Sequence, residues 1–139
     1  MDPDDWVASE LFYCLYKQNL GPLLAFAIAR LAWPEFVVKD DLVFLKGNFS
    51  ERSYQRLKEH WGRDGIECEM NSVDLKDLFQ GEEPCLDQSD EKAMWEAFGQ
   101  LLANSWLRKV RIEFPGRKFE TGFVWEEEMD PVVYLRNLR

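Results

Sequence analysis

The chain has 139 residues, of which 46% are hydrophobic, 14% aromatic and 31% charged, enough apolar material for one domain with its own core and too little length for two. Seventeen Lys and Arg stand against 26 Asp and Glu, a formal charge of −9. A surface of that sign repels phosphate backbones and anionic lipid, so nucleic acid and membranes are disfavoured as partners; the plain reading of the balance is that it keeps a cytosolic protein soluble, the sharper one that it attracts a basic partner.

The start "MDPDDW" is acidic and contains proline, the opposite of the positively charged head of a secretory leader. Apolar residues at Trp6, Val7, Leu11, Cys14 and Leu15 recur at helical spacing and predict an amphipathic helix over residues 5 to 18. Gly21-Pro22 then closes that helix and opens a second, because glycine suits a C-terminal cap and proline a first helical turn. The two are expected to form a helical hairpin. The run "LGPLLAFAIARLAW" is interrupted by Pro22 and Arg30 and falls short of a bilayer span, so it reads as a buried core helix ended by Pro34.

"EFVVKDDLVFLKG" is rich in β-branched and aromatic residues around Asp40-Asp41, which predicts a strand, a tight turn and a second strand. A pair of adjacent aspartates is also a conceivable metal site, but aspartate favours turns for its local hydrogen bonds. In "SERSYQRLKEHWG" Ser50 is the expected N-cap of a third helix, with Tyr54, Leu57 and Trp61 on one stripe. "IECEM", residues 66 to 70, alternates apolar and acidic side chains and reads as a short strand.

In "NSVDLKDLF" Asn71 or Ser72 precedes Val73, Leu75, Leu78 and Phe79, the pattern of a short capped helix whose apolar residues hold it down. Asp74 and Asp77 lie one turn apart, and Asp74 in the first turn complements the helix dipole. A divalent ion would need Glu82 or Glu83 as well, and the calcium-loop spacing is absent. Residues 80 to 90 read as the one linker-like stretch. Met94, Trp95, Phe98, Leu101, Leu102, Trp106 and Val110 then follow at spacings of three and four, so one long helix is expected from a cap at Ser89 or Asp90 to about residue 113. The competing reading makes "KVRIEF" a strand. "KFETGFVW" is expected to be a strand, with "VVYLRNL" after Pro131 its antiparallel partner or a terminal helix.

Motifs that carry chemistry are few. There is one histidine, His60, at the end of the third helix, where a capping role is the plain reading. Cys14, Cys68 and Cys85 are odd in number and widely spaced, as reduced thiols are, which with the missing leader predicts a cytoplasmic protein. No Cys or His pair has zinc-site spacing, and no Walker loop, dinucleotide-binding glycine pattern, nucleophile elbow or HExxH helix occurs. No cofactor or metal is therefore expected. Arg108, Lys109, Arg111, Arg117 and Lys118 read as a solvated face balanced by Glu113 and Glu120, while Trp125 and Trp33 are candidate exposed anchors.

The order "NSVDLKDLF", then Trp106, then "EFPGRKFETGF" resembles a family of small bacterial proteins in which Asn-x-Val-x-Leu-x-x-Leu-Phe is followed by Trp, Phe-Pro and a terminal β-hairpin. It spans residues 71 to 123. The resemblance implies no activity; it implies that the long helix ends just before Phe114-Pro115.

These observations predict an α+β protein of a single domain, residues 1 to 139, with an N-terminal helical hairpin and small antiparallel β-hairpins, in one sheet or two, packed against helices. The favoured function is a non-enzymatic protein-interaction module of the inhibitor or immunity type, binding a basic partner through Asp74, Asp77, Glu82, Glu83 and Trp125. The alternative is a small enzyme or ligand-binding protein whose site gathers scattered groups such as His60, Asp74, Asp77 and Arg111.

Overall fold

The computed structural model describes residues 22–78, 88–126 and 128–138. Pro22 opens α1 (Pro22–Ala32), whose last turn closes with Trp33 N–H donating to the Ala29 carbonyl before buried Pro34. Strands β1 (Phe36–Lys39) and β2 (Leu42–Leu45) then form an antiparallel hairpin in which Lys39 faces Leu42 across Asp40-Asp41. Both aspartates have positive φ, 51° and 65°, as a two-residue type I′ hairpin turn requires; Asp is among the non-glycine residues that tolerate that region. A 3₁₀ turn, Lys46–Asn48, leads to α2 (Glu51–Lys58), whose N-cap Ser50 accepts from Ser53 N–H at 3.1 Å. Helix α3 (Arg63–Met70), strand β3 (Ser72–Asp74) and the single-turn α4 (Leu75–Leu78) follow.

Helix α5 (Gln88–Glu113) runs to the residue before Phe114-Pro115 and settles the helix reading of "KVRIE". Strands β4 (Lys118–Val124) and β5 (Val132–Leu138) form a second hairpin, and β3 adds to the far side of β5, giving an antiparallel sheet in the order β3-β5-β4. One face of this sheet, carrying Val73, Phe119, Phe123, Val133 and Leu135, packs on Trp95, Leu102, Trp106 and Val110 of α5. Where α5 crosses β4, Gly99 leaves room for the Phe123 ring, into which a Cβ would run.

The β1-β2 hairpin is a separate sheet, and β2 is buried on both faces. Val43 and Leu45 point into the main core, while Leu42 and Phe44 join Tyr54, Ile66 and Met70 in a second core roofed by α2 and α3. What fastens this hairpin to the other sheet is a pair of polar side chains one helical turn apart. Glu67 on α3 accepts from Val43 N–H at 2.9 Å through Oε2 and from Asn137 N–H at 3.0 Å through Oε1. The Asn71 amide accepts from Leu45 N–H at 2.8 Å and donates to the Val43 carbonyl at 2.8 Å, while its own carbonyl accepts from Leu135 N–H at 3.2 Å. Both side chains are buried. They occupy the gap where a strand would lie between β2 and β5, and they satisfy backbone groups that burial would otherwise leave unpaired.

Three sequence expectations change against this architecture. Residues 66 to 70 are helical, because Ile66, Glu67 and Met70 recur at helical spacing on the buried side of α3; the apolar-acidic alternation of "IECEM" is incidental to it. The cap of α4 is Asp74, whose Oδ1 accepts from Lys76 N–H at 2.9 Å and Asp77 N–H at 3.3 Å, since Asn71 is committed to the strands. Helix α1 is not a core helix: Leu23 is 82% exposed and Phe26 58%, and α1 joins the core through Leu31 and Ala32. Their carbonyls, free at the helix end, accept from Trp106 Nε1 at 2.7 Å and Ser105 Oγ at 2.5 Å. Of the one-sheet and two-sheet arrangements left open by the sequence, the structure has the second. The predicted helix over residues 5 to 18, and so the helical hairpin it would make, lies outside the described residues.

Glu67→Gln puts an NH₂ group against one of two backbone donors and is expected to lower stability by about 2 kcal/mol; Asn71→Ala, which strands a buried N–H and a buried carbonyl, by about 3 kcal/mol. Glu69→Gln on the exposed side of the same helix is expected to stay within about 0.5 kcal/mol of the parent. Urea denaturation of the three variants compares them directly. Gly99→Ala is expected to destabilise by about 1–3 kcal/mol in the same assay, because the Phe123 ring must be displaced.

Candidate functional site

The face of the β3-β5-β4 sheet opposite α5 carries an open cleft. The pleat puts Ser72, Val124, Val132 and Tyr134 there, and Cys68 of α3 with Glu126, Met129 and Asp130 of the β4-β5 connection complete an open cleft of about 240 Å³. Tyr134 lies across Gly122, where a Cβ would meet its hydroxyl at 2.5 Å, so the glycine lets the ring lie flat on the neighbouring strand. Arg136 stacks 5.9 Å from the same ring and its Nε donates to Glu120 at 2.5 Å, which raises the guanidinium's pKa further above its usual value. Glu128 adopts a positive φ of 67° in the β4-β5 turn, closed by Met129 N–H donating to the Glu126 carbonyl at 3.1 Å. That turn leaves Met129 59% exposed beside Val124 at 43%.

The predicted partner-binding residues fall beside this cleft. Leu75 N–H donates to the Pro131 carbonyl at 2.9 Å, which sets α4 against the β4-β5 connection. Asp74 is half-buried as the cap of α4 and Asp77 is exposed on it. Lys76 reaches toward Asp130 at 3.9 Å and sits 5.5 Å above the Trp125 ring. Trp125 itself is half-buried against the main core, so it is the floor of this region more than a projecting anchor. Glu82 and Glu83 lie outside the described residues. Sequence reasoning missed Val124, Met129, Tyr134, Glu126 and Asp130; the signal was the alternation of Val132, Tyr134 and Arg136, which marks one strand face without saying that a cleft opens on it.

Of His60 and Arg111, Arg111 alone lines one of the two open clefts. His60 is exposed just past α2, its N–H donating to Leu57, and lines neither cleft. Arg111 lines a second open depression of about 340 Å³ on α5 with Asn104, Leu107, Arg108 and Ile112. Among the described residues no group of three His, Cys, Asp or Glu side chains is placed to hold a metal ion, and Cys68 is a free, half-buried thiol.

The Asp40-Asp41 pair is a structural clasp. Tyr54 donates to Asp40 Oδ2 at 2.6 Å, and Lys58 stands 3.9 Å from the same oxygen. Arg117 donates to the Asp41 carbonyl at 2.7 Å and to Oδ1 at 2.6 Å, with Arg63 at 3.3 Å from Oδ2. The hydrogen bond from Tyr54 holds the Asp40 carboxyl below its ordinary range, with Lys58, Lys39 and Arg63 adding to it. The same bond, with burial and the Asp40 charge, pushes the Tyr54 phenol from 10.0 up to about 12.

No protein-family model, curated protein or solved structure matches the chain. The family resemblance carried by "NSVDLKDLF" therefore contributes nothing further, and the functional reading rests on the geometry.

Spectrophotometric titration is expected to show a tyrosine component near pH 12 that belongs to Tyr54. Asp40→Asn moves that component back toward 10.0, and Tyr54→Phe deletes it. The contribution of this bond to stability is present below the ordinary phenol pKa and fades as pH rises through the folded one; on the acid side it fades as pH falls through the lowered pKa of Asp40. A parent protein with no late component contradicts the clasp.

Proposed function

We propose that the domain is a non-enzymatic protein-interaction module, and that the open cleft on the β3-β5-β4 sheet docks a basic partner in the manner of an inhibitor or immunity-type protein. The observation that carries this reading is the make-up of the cleft: exposed Val124 and Met129 over Val132 and Tyr134, bordered by Glu126 and Asp130. An apolar centre with a charged rim is the anatomy of a protein-binding patch, in which the centre supplies affinity and the rim supplies orientation and encounter rate. Asp77 on the neighbouring α4 extends the acidic rim. The net charge of −9 acts in the same sense at longer range.

The experiment is capture from a lysate of the source organism with the parent protein and with the double variant Val124→Asp/Met129→Asp as parallel baits, at low and high salt. A basic protein held by the parent at low salt, released at high salt and not held by the variant is expected. With that protein purified, its association rate is expected to fall about tenfold or more from low to high ionic strength. A partner retained equally by both baits, or a rate indifferent to salt, would rule out this cleft as the docking surface.

A further inference from the structure

The two edges that matter in this fold are treated differently. The outer edge of β2 is sealed by Glu67 and Asn71, whereas among the described residues no strand pairs with that of β4. Leu135 and Asn137 turn their N–H groups toward α3, so the even-numbered residues of β5 bond β4. By the register, Lys118, Glu120, Gly122 and Val124 are then the residues bonded to β5, and Phe119, Thr121 and Phe123 aim their N–H and carbonyl groups away from the sheet. Among the described residues nothing bonds those outward groups. The strand is seven residues long and contains no proline, and its two charged residues, Lys118 and Glu120, project from the sheet faces while the outward backbone groups belong to Phe119, Thr121 and Phe123.

We propose that this edge pairs with β4 of a second copy of the chain, antiparallel about Thr121, so that two three-stranded sheets join into one. The register is chosen by the side chains. Centring on Thr121 sets Thr121 opposite Thr121, Phe119 opposite Phe123, Lys118 opposite Val124 and Glu120 opposite Gly122, with no like charges face to face. All three outward residues then find partners, for about six backbone hydrogen bonds. The two Glu120 side chains fall on a diagonal, each held by its own Arg136. Centring on Glu120 instead would oppose two carboxylates directly. The Phe119 side chain is buried in its own core, so pairing at that position uses the backbone alone. This association does not rest on the acidic cleft, although Val124 at the end of β4 belongs to both.

Sedimentation of the full chain over a concentration series, with amide exchange read residue by residue on the same samples, tests the proposal. The mass is expected to rise from 16.5 kDa toward twice that value. In parallel, the amides of Phe119, Thr121 and Phe123 are expected to slow by about tenfold or more at high concentration, while those of Glu120 and Gly122 do not change. Thr121→Pro removes an outward N–H that the monomer does not use, a change that edge strands tolerate, and is expected to remain monomeric. Should that variant fail to fold, the concentration dependence of the parent's odd-numbered amides decides. A monomer at every concentration would leave the edge to an extended segment of some other protein and overturn the proposal; so would a dimer whose odd-numbered amides exchange at the monomer rate.

Discussion

The structure depends on two polar side chains buried between two sheets. Glu67 and Asn71, four residues apart on α3 and its C-cap, bond three backbone groups of β2 and, with the Asn71 carbonyl, two N–H groups of β5. β2 is a four-residue strand with both faces buried. Covering its outer edge with apolar side chains would strand three polar groups in the interior at about 1–3 kcal/mol each. A carboxylate that accepts from both sides and an amide that both accepts and donates match what the two edges present. The arrangement does what an intervening strand would do, and it fixes the distance between the two sheets as well as their register.

Much of the rest follows from that junction. With β2 locked, its alternate residues serve two cores, one under α5 and one under α2 and α3. The Asp40-Asp41 turn is then carried to where Tyr54, Arg63 and Arg117 from three other parts of the chain can hold it, which offsets the cost of two consecutive non-glycine residues at positive φ. Helices are gathered on the inner side of the β3-β5-β4 sheet and around the β1-β2 hairpin, leaving an open cleft on the opposite sheet face. An acidic rim on an apolar floor results there, and the proposed recognition of a basic partner draws on that exposure.

How much of this was legible in the sequence depended on whether the signal was local. The Asp-Asp hairpin, the Ser50 cap, the end of α5 before Phe114-Pro115 and the pairing of the last two strands all rest on neighbours in the chain, and each appears as the residues imply. Residues 66 to 70 misled because a five-residue alternation also fits a helix once its partners are known. Asn71 reads as a helix cap until strands far along the chain claim its side chain. The open cleft was invisible for the same reason: Val124, Met129 and Tyr134 carry no mark that separates a covered strand face from an open one. The sequence marks a capped turn at residues 71 to 79, and the cap falls on Asp74 because Asn71 is taken up by the strands.

Native-state hydrogen exchange at low denaturant concentrations tests the central claim most directly. If Glu67 and Asn71 make one cooperative unit of the two sheets, the amides of Val43 and Leu45 in β2 and of Leu135 and Asn137 in β5 exchange with the same opening free energy and the same denaturant dependence, that of global unfolding. If Val43 and Leu45 instead exchange through a separate, smaller opening while Leu135 stays protected, the β1-β2 hairpin is an appendage and the junction does not hold the fold together.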